Sequence, residues 1–134
     1  MFRFGKRKRI HELQKALSDC LQPLKDELGN VPVEMQGDKV ITASLLGICE
    51  GYAAAHGIDQ KQTVALIVDA VFEEIFRRES TSVLTQVDTW LSEKDPRFMR
   101  AYETSKEHTG ESLQLDWLRD YSENNFEPAK NLML

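Results

Sequence analysis

Cysteine occurs only twice in this 134-residue chain, and histidine three times. Two cysteines cannot staple a small secreted scaffold, so a disulfide-built fold is excluded. His11, His56 and His108 lie in separate segments, without the His-x3-His or His-Glu-x-x-His spacing that sets two ligands on one helix face. Gly-x-Gly-x-x-Gly and Walker phosphate loops are missing too. Long apolar runs are absent. The longest, Val64 to Val68, has five residues, whereas a membrane-spanning helix needs roughly 18. Disorder is equally excluded: 41% of the residues are hydrophobic, enough for one core in a chain of single-domain length.

Charge is unevenly placed. The net charge is −5, yet Arg3, Lys6, Arg7, Lys8 and Arg9 crowd the first nine residues without an acid. Residues 10–134 therefore carry 12 basic against 22 acidic groups, a net −10. An acidic body repels nucleic-acid backbones and suits a basic protein partner. Only residues 1–9, expected to form a flexible basic arm, would attract an anionic surface. Beside Met1, Phe2 and Phe4, such an arm would give weak, salt-sensitive contact with anionic membrane or nucleic acid. The segment lacks the apolar stretch and cleavage site of a secretory signal, so the expected compartment is the cytoplasm, with Cys20 and Cys49 as thiols.

What is present is helical period. Ile10, Leu13, Leu17, Cys20, Leu21, Leu24 and Leu28 recur in steps of three and four, one stripe that Pro23 should break. Gly29-Asn30 is a stop signal. Val31 to Gly37 alternates apolar and polar residues and reads as an extended, partly buried loop, since one short strand would have no partner. A second helix runs from near Asp38 to His56-Gly57. A third begins at Asp59, with Gln62 completing a loose capping box, and reaches Arg78. Ser80 and Thr81 read as caps of a fourth helix bearing Val83, Val87 and Trp90. Asp95-Pro96 opens a fifth with Phe98 and Tyr102. Gly110 breaks that helix, and Leu113, Trp117 and Tyr121 share a face of a last one.

Apolar residues cover nearly every side of segment 59–78, which marks it as the central helix. The expectation is an all-α, single-domain bundle of five to six helices over residues 10–123, around that central helix, with a C-terminal tail over 124–134 in which Leu132-Met133-Leu134 could dock. The joint from Ala53 to Asp59 resembles the helix–turn–helix joint of tellurite-resistance domains of the TerB type, with His56 where an acid is typical. The resemblance implies a helical hairpin and no site.

Three groups of residues are candidates for function. Asp69 and Glu73 share the polar strip of the third helix, and with Glu50 they could hold a divalent cation for metal-assisted hydrolysis. Arg77 and Arg78 stand four residues after Glu73 and Glu74, however, the spacing of self-neutralising ion pairs. Glu73-Glu74 is similar to the paired acids of all-α nucleotide pyrophosphohydrolases, but Arg77 replaces the third acid of that pattern. No catalytic residue, metal or cofactor is therefore assigned. The small residues Gly47 and Gly51, beside Ala43 and Ala54, cost helix stability and imply close approach of another backbone. The third helix is the expected neighbour, and self-association into a homodimer is the alternative. Finally, Trp117 and Tyr121 sit among Asp116, Asp120 and further acids between Glu103 and Glu127, as aromatic anchors ringed by charge do at contact surfaces. The leading expectation is a non-enzymatic, acidic protein-binding module of the adaptor, inhibitor or immunity type.

Overall fold

The computed structural model describes residues 2–130. Six α-helices make one all-helical domain: α1 (Phe2–Cys20), α2 (Lys39–Ala55), α3 (Lys61–Phe76), α4 (Ser80–Glu93), α5 (Pro96–His108) and α6 (Asp116–Asn125). Short 3₁₀ turns lie at Gln22–Leu24, Val33–Gly37 and Arg77–Glu79.

The centre of the bundle is α2, not the segment 59–78. Twelve of the 17 residues of α2 are buried, from Ile41 to Ala53. Helices α3, α4, α5 and α6 all pack on it. By contrast, α3 is amphipathic. Thr63, Ile67, Val68, Val71, Phe72, Ile75 and Phe76 face inward, whereas Leu66 is 62% exposed and Ala65, Asp69 and Glu73 are exposed with it. The apolar residues of α3 outnumber the positions its neighbours cover. Small side chains explain why α2 takes the centre instead, for they let neighbours close in from several sides.

Those small residues define the main packing contact. A Cβ built on Gly47 would lie 2.5 Å from the Tyr102 carbonyl oxygen, and one on Gly51 would lie 2.7 Å from that of Lys106. The backbone that approaches is thus α5, not α3. It runs parallel to α2, because Lys39 at the start of α2 pairs with Asp95 at the start of α5 at 2.6 Å, while Gly51 meets Lys106 and Thr109 further on. The same chain therefore occupies the face that a second copy would have needed at Gly47 and Gly51.

The helix ends follow from local chemistry. Asp38 accepts from the Ile41 N–H at 2.8 Å and caps α2. Asp95 accepts from the Phe98 N–H at 3.1 Å and caps α5 ahead of Pro96. His56 closes α2, and Gly57 adopts φ +73 to start the turn into α3, the hairpin that the joint implied. Gln60 stands at the N-cap of α3 without a side-chain bond, so Asp59 does not cap it. Ser80 lies inside α4, whose N-cap Glu79 also makes no side-chain bond. Leu113 precedes α6 and so shares no helical face with Trp117.

Three further expectations change. Residues 33–37 form a 3₁₀ turn rather than extended chain, which buries Met35 and Val31 and leaves Val33 outside. The backbone of the basic segment is helical from Phe2 onward, continuous with α1. Residues 126–130 are tied down where a tail was expected: Phe126 packs on the core edge-on to Tyr121, and the Ala129 N–H donates to the Leu24 carbonyl at 2.8 Å. Met1 and Leu132-Met133-Leu134 lie outside the described residues, as do the side chains of Phe2, Arg3, Phe4 and Lys6.

Candidate functional site: an acid-rimmed groove

Helices α2, α3 and α4 do not close completely on one another. Between them lies a groove of about 680 Å³. Leu46 of α2, Val64 and Val68 of α3 and Leu84 and Leu91 of α4 form its apolar walls. Around them stand Glu50, Asp59, Asp69 and Asp88, against the cations Lys61 and Lys106. The placement follows from helical spacing: Leu84, Asp88 and Leu91 are four and three residues apart, so one face of α4 carries an acid between two leucines.

One wall is held by a polar triad. The Tyr102 hydroxyl donates to Glu50, and Lys106 pairs with the same carboxylate at 3.2 Å. The Lys106 ammonium also lies 5.7 Å from the centre of the Tyr102 ring. Hydrogen bonding to Glu50 raises the Lys106 pKa above its ordinary value. Burial, followed by the Glu50 contact, raises that of Tyr102. Glu50 is therefore engaged within the fold. The acids left facing outward are Asp59, Asp69 and Asp88, which outnumber Lys61.

The candidate cation ligands are only partly brought together. Glu50 and Asp69 line this groove, but Glu73 lines a separate cleft with Gln14, Glu74, Arg77 and Arg78. Among the described residues no three His, Cys, Asp or Glu side chains gather as a metal site would need. The ion pairs expected of Glu73–Arg77 and Glu74–Arg78 do not form. Helix α3 ends at Phe76, and Arg77 turns to φ +56, which breaks the four-residue register. Its guanidinium lies beside Gly29 instead, 2.8 Å from where a Cβ on that glycine would stand.

The aromatic and acidic residues of α6 lie outside the groove. Trp117 is 40% exposed, flanked by exposed Asp116 and Asp120. Tyr121 is half-buried and donates to Asp38 at 3.2 Å, which makes it a tie between α6 and α2. The inward side of α6 is carried by Leu118 and Ser122. Of the basic run, Arg7 and Lys8 are exposed, and Arg9 is half-buried beside the α2–α3 turn. Both cysteines are buried and free.

Sequence reasoning overlooked Asp59, Asp88 and Lys106 as groove residues. In the sequence Asp59 reads only as a helix cap, and the 84-88-91 spacing is the local signal for Asp88. Nothing local marks Lys106, which arrives from α5. Searches of protein-family models, curated proteins and solved structures found no match to this chain. Among the described residues no helix is long and apolar enough to cross a membrane.

Proposed function

We propose that this chain is a non-enzymatic protein-binding module, of the adaptor, inhibitor or immunity-type kind, and that its groove receives a basic amphipathic helix from a partner. The observation that carries the reading is the groove itself. Its apolar walls would take leucine-sized side chains, and Asp59, Asp69 and Asp88 stand where lysines or arginines on the flanks of a helix would meet them. Helix-in-groove recognition works in this way: apolar anchors supply the affinity, while rim charges set register and exclude acidic competitors. A cytoplasmic setting fits two cysteines kept as buried thiols.

The test is a fluorescence-anisotropy titration with a synthetic lysine/leucine amphipathic helix, run beside a glutamate/leucine peptide of the same pattern. Binding of the basic peptide alone is expected, and it should weaken as salt rises. Asp69 and Asp88 are both exposed, so the Asp69→Lys/Asp88→Lys variant should fold and lose about tenfold in affinity, or about 1.4 kcal/mol. Equal binding of both peptides, or an unchanged affinity in the variant, would discard the reading.

A further inference from the structure

Glu50 differs from the other acids of the groove. Asp59, Asp69 and Asp88 are exposed, whereas the Glu50 side chain is only 25% exposed and belongs to the groove wall. It lies on α2 between Gly47 and Gly51, the two residues that let the α5 backbone approach. That contact sets the spacing between Glu50 and the two α5 residues it meets, Tyr102 and Lys106. Tyr102 is held from its other side as well. Its ring stacks on the fully buried Phe98, with centroids 6.3 Å apart and planes 18° apart, and Phe98 packs on Trp90 at 5.7 Å. The Tyr102 hydroxyl donates to Glu50. One carboxylate and one aromatic face thus form a fixed corner at the edge of the groove.

The corner already holds a cation. The Lys106 ammonium lies 3.2 Å from Glu50 and 5.7 Å from the centre of the Tyr102 ring, a carboxylate and a π-face acting on one positive charge. Yet Lys106 is a loose occupant. Its side chain is 48% exposed, on a flexible four-carbon stem one turn beyond Tyr102. An ion pair so open to water is weakly held, and the ammonium can swing into solvent without moving either helix. A helix seated in the groove changes the balance in two ways. Its own lysine would meet a like charge if Lys106 stayed in place. Once the helix has excluded water from the corner, the carboxylate attracts an ammonium more strongly than it does in the open groove.

We propose that Glu50 and Tyr102 form a cation subsite of the groove, which takes a lysine ammonium of the partner helix, and that Lys106 is its resident competitor. The proposal rests on the helix-in-groove reading and gives that groove its selectivity. A helix with a lysine beside its apolar anchors exchanges with Lys106. A neutral or acidic helix leaves Lys106 where it is, and this part of the rim stays neutralised from within.

The experiment titrates the full chain with the lysine/leucine helix, by fluorescence anisotropy, in wild type, Lys106→Met and Lys61→Met, each with Glu50 and with Glu50→Gln. Lys61 is an exposed cation of the same groove, so its loss changes the net charge equally and leaves the corner alone. Lys106→Met should tighten binding about fivefold, the size of one surface ion pair, and Lys61→Met less than about twofold. With Glu50→Gln the two substitutions should have the same effect. A second measurement needs no substitution at all. The Cε–Hε NMR resonances of Lys106, displaced by the Tyr102 ring in the free protein, should move to free-lysine positions as the peptide saturates wild type. Equal tightening by Lys106→Met and Lys61→Met beside an intact Glu50, or Lys106 resonances that stay in place at saturation, overturns the subsite and leaves the groove reading standing. Absence of binding in wild type and every variant overturns both.

Discussion

Gly47 and Tyr102 stand so close that a Cβ on Gly47 would lie 2.5 Å from the Tyr102 carbonyl oxygen, inside any contact a side chain tolerates. Gly51 repeats the relationship one turn on, at 2.7 Å from the Lys106 carbonyl. In both cases backbone blocks the added atom, and backbone cannot swing aside as a side-chain tip can. The parallel pair of α2 and α5 is therefore sealed by the absence of two methyl groups.

Gly47→Ala and Gly51→Ala should each destabilise the protein, although alanine is the better helix former by about 1 kcal/mol. Forcing two helices apart costs about 1–3 kcal/mol, and the larger side chain of Gly51→Leu should exceed that range. Gly37→Ala meets nothing within 4 Å and serves as the control. Denaturant midpoints check this: midpoints equal to wild type at positions 47 and 51 would mean that α5 does not lie on this face.

Asp38 joins two jobs. It caps α2 through the Ile41 N–H at 2.8 Å and accepts from the Tyr121 hydroxyl of α6 at 3.2 Å. Asp38→Ala should cost about 1–2 kcal/mol, chiefly through the lost cap. Tyr121→Phe should cost about 0.5–1.5 kcal/mol. A double-mutant cycle in urea should find the two coupled. Strict additivity would show that Tyr121 does not tie α6 to α2.

Lys94 ends α4 in the left-handed region, at φ +53 and ψ +47. Its N–H donates to Leu91 and that of Asp95 donates to Trp90, the paired bonds of a Schellman end. Lys94 is exposed, so glycine would remove backbone strain without removing packing. Lys94→Gly should raise the melting temperature by a few degrees, for a gain of about 0.5–1 kcal/mol. A lowered melting temperature would refute the left-handed conformation.

Burial raises the pKa of several weak acids at once and so holds them protonated. Tyr52, Tyr102 and Tyr121 are each shifted up, with desolvation the largest cause. The Cys20 thiol is pushed up to about 11, and burial raises Cys49 as well. A folded pKa above the unfolded one means that the native state holds its proton more tightly. The stabilisation is complete below the unfolded value and is lost as pH rises through the folded one. Denaturant midpoints should therefore hold steady around neutrality and fall from about pH 9 upward, where the unfolded thiols and phenols begin to ionise. Thiol titration at pH 8 should find both cysteines slow in the native protein and fast in denaturant. Fast native reaction would contradict their burial.

Much of the fold was legible in local chemistry. The Asp38 and Asp95 caps, the Gly57 turn and the stripe of Leu13, Leu17 and Leu24 each depend on residues within a turn or two of one another. That is the range over which backbone hydrogen bonding and helical periodicity act. The same range set the α3 stripe and the glycine row as candidate packing faces, but it carried no information about which face met which. The centre therefore passed from α3 to α2, and the glycines met α5 instead of α3. An apolar face is not specific for its partner; which pair approaches is decided by the fit of whole helices, and small residues win where backbones come closest. The groove was hidden for the same reason, since Asp59, Asp69, Asp88 and Lys106 come from separate segments and share a rim only after packing. Composition and periodicity determined that this chain forms an acidic helical bundle. Which helix lies innermost, and which acids and cations stand together, only the tertiary structure decided, because close packing is a property of several segments at once and of none alone.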